Sequence, residues 1–107
     1  MPSEFEQIDI HKAKVMIDAG HVNVIDIRKQ SFYDEEHIDQ SIWVSDQNVE
    51  QFVKEANKDR PLICYCYQGF SSQDAARYFS QQGFKKVYSM IGGFDAWRTA
   101  YPFTGGK

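Results

Sequence analysis

"PLICYCYQGFSSQDAARY", residues 61–78, runs from a solid apolar stretch through two cysteines into a short glycine-containing loop, then into a helical pattern. The first six residues read as a strand. Ser71 or Ser72 can cap the helix that follows, with Ala75, Ala76 and Phe79 turned inward and Gly83 as its stop. The same alternation recurs along the chain. "HVNVIDI" (21–27), "SIWV" (41–44) and "KVYSM" (86–90) read as further strands, mostly apolar on consecutive positions, as strands covered on both faces are. Asp9 can cap a helix with Ile10, Ala13 and Ile17 inward and Gly20 at its end. Ser45 can cap another carrying Val49, Phe52, Val53 and Ala56 at helical spacing. Ser31 with Asp34 suggests one extra helical turn, and a last helix is predicted over Phe94–Ala100. Strands alternating with helices predict an α/β fold with a parallel sheet. Ligands of such sheets sit beyond the carboxyl ends of the strands, which places a site at Cys66.

The 107 residues suit one domain, 1–107, and are too few for two separate cores; 42% hydrophobic content is ample for one interior. Residues 103–107, ending in "GGK", are expected to form a flexible tail. The net charge of −3 comes from scattered acids and bases with no basic cluster, which argues against nucleic acid. No apolar run is long enough for a membrane span, and the start shows no secretion signal. With Cys64 and Cys66 as the two cysteines, a secreted disulfide scaffold is disfavoured and the cytoplasm is the expected compartment.

Cys-x-Cys is a poor metal signal here. A closed zinc site needs four ligands, and His11, His21 and His37 are not at finger spacing, so no metal is expected. Cys64, flanked by Ile63 and Tyr65 in mid-strand, reads as a small buried hydrophobe. Cys66 ends the strand and is followed by Tyr67, Gln68, Gly69, Phe70, Ser71 and Ser72. A loop of this length can curl its N–H groups inward, and the helix N-terminus adds partial positive charge at the same point. A sulfur held there ionises readily. The reactive reading of Cys66 is therefore preferred to a structural one.

"CYCYQGFSS" resembles the active-site loop of the rhodanese superfamily. "VIDIRKQSFYDEEHIDQSI" (24–42) is similar to that family's first signature, with Asp26 and Arg28 ending a strand, an aromatic, then the Gly-His-Ile element. "VYSMIGGFDAW" (87–97) is similar to its closing signature of strand, Gly-Gly and Trp. The three matches fall in the family's order across nearly the whole chain. They resemble above all its small single-domain thiosulfate sulfurtransferases, the glycerol-operon type among them. The resemblance implies a five-stranded, mainly parallel sheet with helices on both faces. It also implies a double displacement without metal or organic cofactor. Cys66 takes the outer sulfur of thiosulfate, sulfite leaves, and the persulfide passes its sulfur to cyanide, a thiol, or a dithiol protein such as thioredoxin. Residues 67–72 would cradle the persulfide. A persulfide carrier loaded by another enzyme is the second reading. A non-catalytic interaction module of the same fold is a third, disfavoured by the intact cysteine.

The same fold includes cysteine phosphatases, whose Cys-x5-Arg loop requires arginine six positions after the nucleophile to clamp phosphoryl oxygens. That position is Ser72, and Arg77 lies more than a turn further on, so phosphatase activity is disfavoured. Lowering a thiol pKa by two units gains about tenfold in thiolate near neutrality, but loses about six- to tenfold in nucleophilicity. The gain from the loop is therefore expected in holding transition-state and persulfide charge.

Gln68 and Phe70 stand where relatives carry basic, imidazole or smaller polar groups, so weak thiosulfate binding is expected. Phe70 offers an apolar rim to a protein acceptor or packs over Trp43. Arg28 reads as half of a strand-end ion pair rather than a substrate ligand, and His37 as a hydrogen-bonding anchor. Gly69 is expected at positive φ, Gly92 and Gly93 in the turn after the last strand, and Trp97 in the core.

Overall fold

The structure, a computed structural model, describes residues 5–105. Five strands form a wholly parallel sheet in the order β1-β6-β5-β2-β4: β1 (Glu6–Ile8), β2 (Asn23–Asp26), β4 (Ile42–Trp43), β5 (Leu62–Tyr65) and β6 (Val87–Met90). Two-residue strands β3 (Glu36–His37) and β7 (Thr104–Gly105) make a separate antiparallel pair. The helices are α1 (Ile10–Ala19), α2 (Gln30–Glu35), α3 (Val49–Glu55), α4 (Ser71–Ser80) and α5 (Gly93–Ala100).

Alternation along β5 divides the core in two. Ile63 and Tyr65 join Ile8, Ala13, Ile17, Met90, Phe94 and Trp97 on the face covered by α1 and α5. Leu62 and Cys64 join Ile25, Ala76, Phe79 and Val87 on the opposite face, beneath α3 and α4. All four β5 residues are buried, which is why the strand reads as unbroken apolar sequence. The α/β sheet with helices on both faces is as the resemblance implies, and Trp97 is core.

Several local expectations hold. Asp9 caps α1 by accepting from the Lys12 amide at 2.8 Å. The extra turn around Ser31 and Asp34 is α2. Other details differ. The edge strand β1 escapes sequence reading because Glu6 and Gln7 are exposed and only Ile8 is buried. Ser45 does not cap α3 directly; its Oγ accepts from Gln47, and the helix begins a turn later after Asn48. Neither serine caps α4: Phe70 holds the cap position, and the Ser72 hydroxyl is turned into the protein.

The tail expected at 103–107 is instead paired in part. Thr104 and Gly105 face His37 and Glu36 across a ladder, and Phe103 packs against the core on the Phe94 ring at 5.5 Å. Residues 106–107 lie outside the described residues. An apolar residue two places before the glycines is enough to draw the chain back onto α5.

Asp26, the last residue of β2, and Arg28, just past it, make a buried pair. The Arg28 Nη2 donates to Asp26 Oδ2 at 2.6 Å and to the Glu36 carbonyl at 2.6 Å, while Nε donates to both Asp26 oxygens at 3.0 Å. The guanidinium also lies 4.5 Å from the Phe94 ring centroid. Removing either partner would leave an uncompensated buried charge. The pair joins β2, the β3 segment and α5 beneath the carboxyl end of the sheet.

Candidate active site

β5 delivers Cys66 to the carboxyl end of the sheet, and the chain then turns through residues 67–70 into α4. The amides of Gly69 and Ser72 donate to the Cys66 sulfur at 3.1 and 3.2 Å. The Ser72 hydroxyl lies 3.4 Å from the same atom. These groups converge because Gly69 takes φ +96°, reversing the chain over the sulfur. A β-carbon at Gly69 would sit 2.8 Å from the Gly92 nitrogen and 3.2 Å from the Met90 carbonyl, so both backbone conformation and space call for glycine. The Gln73 side chain donates to the Gly69 carbonyl at 3.0 Å and fixes that peptide from the helix side.

α5 supports the loop from the other direction. The Phe94 amide donates to the Cys66 carbonyl at 2.9 Å, and the Asp95 amide to the Tyr67 carbonyl at 3.0 Å. Free N–H groups at one helix start thus tie down the loop that precedes another. Gly92, at the cap of α5, and Gly93, its first residue, turn the chain, as expected, and Gly93 also permits this contact.

Burial pushes the Cys66 thiol up, but the Ser72 hydroxyl and the amides of Ser72, Gly69 and Gln68 outweigh it and hold the thiol below its ordinary value. Cys64 has no such donors among the described residues; burial, reinforced by the neighbouring Cys66 charge, drives its thiol far up. Exposure separates the two in the same sense, 0% for Cys64 against 6% for Cys66. One cysteine is sealed in the apolar core, and its neighbour is bonded by donors suited to an anion.

The loop residues divide. Gln68, Gly69 and Ser72 direct groups at the sulfur. Tyr67, Phe70 and Ser71 face outward, and Phe70 is 73% exposed, so it forms a rim and does not pack away over Trp43. The Trp43 indole instead donates to the Arg28 carbonyl at 2.8 Å. Gln68 reaches its side chain toward Asp95 Oδ2 at 3.4 Å.

Arg28 and His37 are not among the groups bonded to the sulfur. Arg28 is occupied by Asp26 and Glu36, and His37 stacks on Tyr33 at 3.9 Å while its Nδ1 bonds the Tyr33 carbonyl at 2.7 Å. Both hold the β2–α2–β3 segment together. Arg77 pairs with Asp74 at 3.3 Å on the exposed face of α4, and none of the groups reaching the Cys66 sulfur is an arginine. Among the described residues no three His, Cys, Asp or Glu side chains gather in a way that could hold a metal.

Sequence reading misses Ser89, which is completely buried on β6 and places its Oγ 2.7 Å from that of Ser72. Its signal is a lone hydroxyl inside the buried run "VYSM". A buried hydroxyl needs a partner, and the parallel register sets Ser89 beside Cys64, next to the start of α4.

These features agree with the family to which the chain belongs. Residues 9–100 match the family described as rhodanese-like domain, and the protein is a member of it. A thiosulfate sulfurtransferase GlpE of Shewanella oneidensis is 40% identical over 98 residues, covering 92% of this chain and 97% of that protein. Another of the same name, from Pseudomonas fluorescens SBW25, is 45% identical over 100 residues, 94% of this chain and 91% of that one. A crystal structure of a Bacillus halodurans protein, 29% identical, matches with a TM-score of 0.81 over 94% of this chain and 77% of that chain.

The convergence of donors makes a pH prediction. Thiolate forms as pH rises, and a lowered thiol pKa moves the rise of kcat/KM below the ordinary thiol value of about 8.5. In Ser72→Ala the midpoint moves upward. Its deficit is therefore largest on the acid side, about tenfold there for one charge-assisted bond, and shrinks as pH increases. A pH–rate profile with a midpoint shared by both proteins would contradict this.

Proposed function

We infer that the protein is a thiosulfate sulfurtransferase working through a persulfide on Cys66. The observation that carries this reading is the pair of amides, from Gly69 and Ser72, within 3.2 Å of a sulfur at the end of β5. Relatives of matching length that bear that activity in their names support it. The Cys66 thiolate attacks the outer sulfur of thiosulfate; an S–S bond to Cys66 forms, the bond to the sulfonate sulfur breaks, and sulfite leaves with its electron pair. An acceptor, cyanide or a thiolate, then attacks the terminal sulfur and expels the Cys66 thiolate. No general base is needed once the thiolate exists, consistent with a His37 ring that bonds the Tyr33 carbonyl.

The cradle is built from the neutral groups of Gln68, Gly69 and Ser72, so it favours one negative sulfur and itself supplies no cation for the sulfonate. Thiosulfate is held weakly, with a KM in the millimolar range or above; a submicromolar value would overturn this account of the loop. Lacking an arginine, the cradle gives no hydrolysis of an aryl phosphate above background. The site serves small acceptors and exposed protein thiols, including those of dithiol proteins, in the cytoplasm. No helix among the described residues is long and apolar enough to cross a membrane.

The test is a stopped mixing of protein with thiosulfate, followed by mass measurement and assay of released sulfite. Stoichiometric sulfite with a persulfide formed within seconds is expected. Sulfuration only by another protein's persulfide, with no reaction toward thiosulfate, would make the chain a carrier.

A further inference from the structure

The Ser89 hydroxyl has one hydrogen-bond partner among the described residues, the Ser72 Oγ. That oxygen in turn has two, Ser89 Oγ at 2.7 Å and the Cys66 sulfur at 3.4 Å. Each hydroxyl owns a single proton. A thiolate can only accept, so the Ser72 proton points at the sulfur, and the proton between the two serines must belong to Ser89. The outcome is a directed chain from Ser89 O–H to Ser72 O–H to S⁻, in which each bond polarises the next. If the neutral thiol donated to Ser72, either the Ser72 or the Ser89 proton would be left with no acceptor among the described residues, in a wholly buried position. The arrangement therefore favours the charged sulfur by its direction as well as by its contacts.

We propose that Ser89 is a positioning residue for sulfur transfer, aiming the Ser72 proton at the Cys66 sulfur so that the thiolate is stabilised both as nucleophile and as leaving group. This rests on Cys66 being the residue that carries sulfur. In loading, the Cys66 lone pair forms the new S–S bond and sulfite departs with the electrons of the broken one. In unloading, the acceptor forms a bond to the terminal sulfur, and the electrons of the old S–S bond return to Cys66. After loading, the negative charge lies one S–S bond away, about 2 Å from the atom that Ser72 addresses. The chain of hydroxyls thus acts on the free thiolate at the start and the end of the cycle more than on the persulfide between them. The other β6 residues, Val87, Tyr88 and Met90, belong to the hydrophobic core and do not compete for this role.

The test follows iodoacetamide alkylation of Cys66 in the full chain against pH, with the modified residue identified by mass. This readout does not require sulfur transfer. In Ser89→Ala the midpoint moves upward and the acid-side rate falls about three- to tenfold, as losing one hydrogen bond allows. Ser72→Ala does at least as much, and the double variant Ser72→Ala/Ser89→Ala titrates like Ser72→Ala alone, because Ser89 acts only through Ser72. The near-isosteric pair Ser89→Thr and Ser89→Val separates the hydroxyl from packing. Threonine keeps the lower midpoint and valine loses it, even if the added methyl perturbs both. An unchanged midpoint in Ser89→Ala, additive effects in the double variant, or equal midpoints for threonine and valine would overturn the proposal. Failure of the wild-type chain to take sulfur from thiosulfate would instead remove the functional reading, while the titration still decides the role of Ser89.

Discussion

Cys66→Ser is expected to take up no sulfur from thiosulfate and to show transfer at background, while Cys64→Ser still gains the mass of one sulfur, about 32 Da, on Cys66. The contrast follows from what surrounds two atoms of the same element. Cys64 sits in the apolar cluster with Ala76, Phe79 and Val87, with no exposure and a thiol pushed strongly upward by burial. It presents neither a thiolate nor a path for thiosulfate. Cys66 has amide and hydroxyl donors aimed at it, and a serine in its place is a far poorer nucleophile with nothing to activate it. Peptide mapping after brief exposure to thiosulfate decides the matter. Sulfur on Cys64, or loading that survives Cys66→Ser, would contradict the assignment.

The second large effect is expected at a residue that never touches the sulfur. A β-carbon at Gly93 would lie 2.5 Å from both the Cys66 and Tyr67 carbonyl oxygens, in backbone that has no flexible end to move aside. Those carbonyls accept the Phe94 and Asp95 amides, so Gly93→Ala pries α5 off the loop it supports. Overpacking at ~1–3 kcal/mol plus two weakened hydrogen bonds gives a loss of about 2–5 kcal/mol in urea unfolding. Sulfur loading falls at least tenfold in protein that remains folded, since a shift of about an ångström in a catalytic loop carries a penalty of that order. Gly20→Ala is the control. Gly20 also has positive φ, +82° with ψ −176°, a backbone region kept almost wholly for glycine, but nothing lies within 4 Å of its added carbon, so Gly20→Ala costs ~1–3 kcal/mol of backbone strain and keeps full loading. Equal effects of the two substitutions would show that backbone conformation, not the close approach to the loop, is what matters at Gly93.

The parts of this protein legible in the sequence are those where one residue's local role decides its identity. β5 is plain because burial on both faces demands an unbroken apolar run, and Asp9 because a helix start needs an acceptor. Cys66 stands out by its place at the end of that strand, ahead of a short loop and a helix. Interactions between distant segments are harder to read. Arg28 reads as half of an ion pair, but its bond to the Glu36 carbonyl depends on how the β3 segment returns. Ser89 looks like an ordinary strand residue until parallel pairing sets it against α4. The β7 pairing at Thr104–Gly105 is likewise invisible locally, because glycine has little strand preference and the pairing depends on Phe103 docking on Phe94. The serines at 71–72 have the residue type of a helix cap. The loop uses the second of them as a donor to sulfur instead, and a site overrides a local preference at that point.

The measurement that addresses the central claim most directly is the amide ¹H–¹⁵N spectrum of the protein before and after one equivalent of thiosulfate. If loop N–H groups hold the negative sulfur, the Gln68, Gly69 and Ser72 amide signals shift on loading, as the charge moves from the Cys66 sulfur to the terminal one, and return when cyanide removes the sulfur, with the α1 and α3 amides unmoved. Sulfuration of Cys66 that leaves those three signals where they were would contradict it.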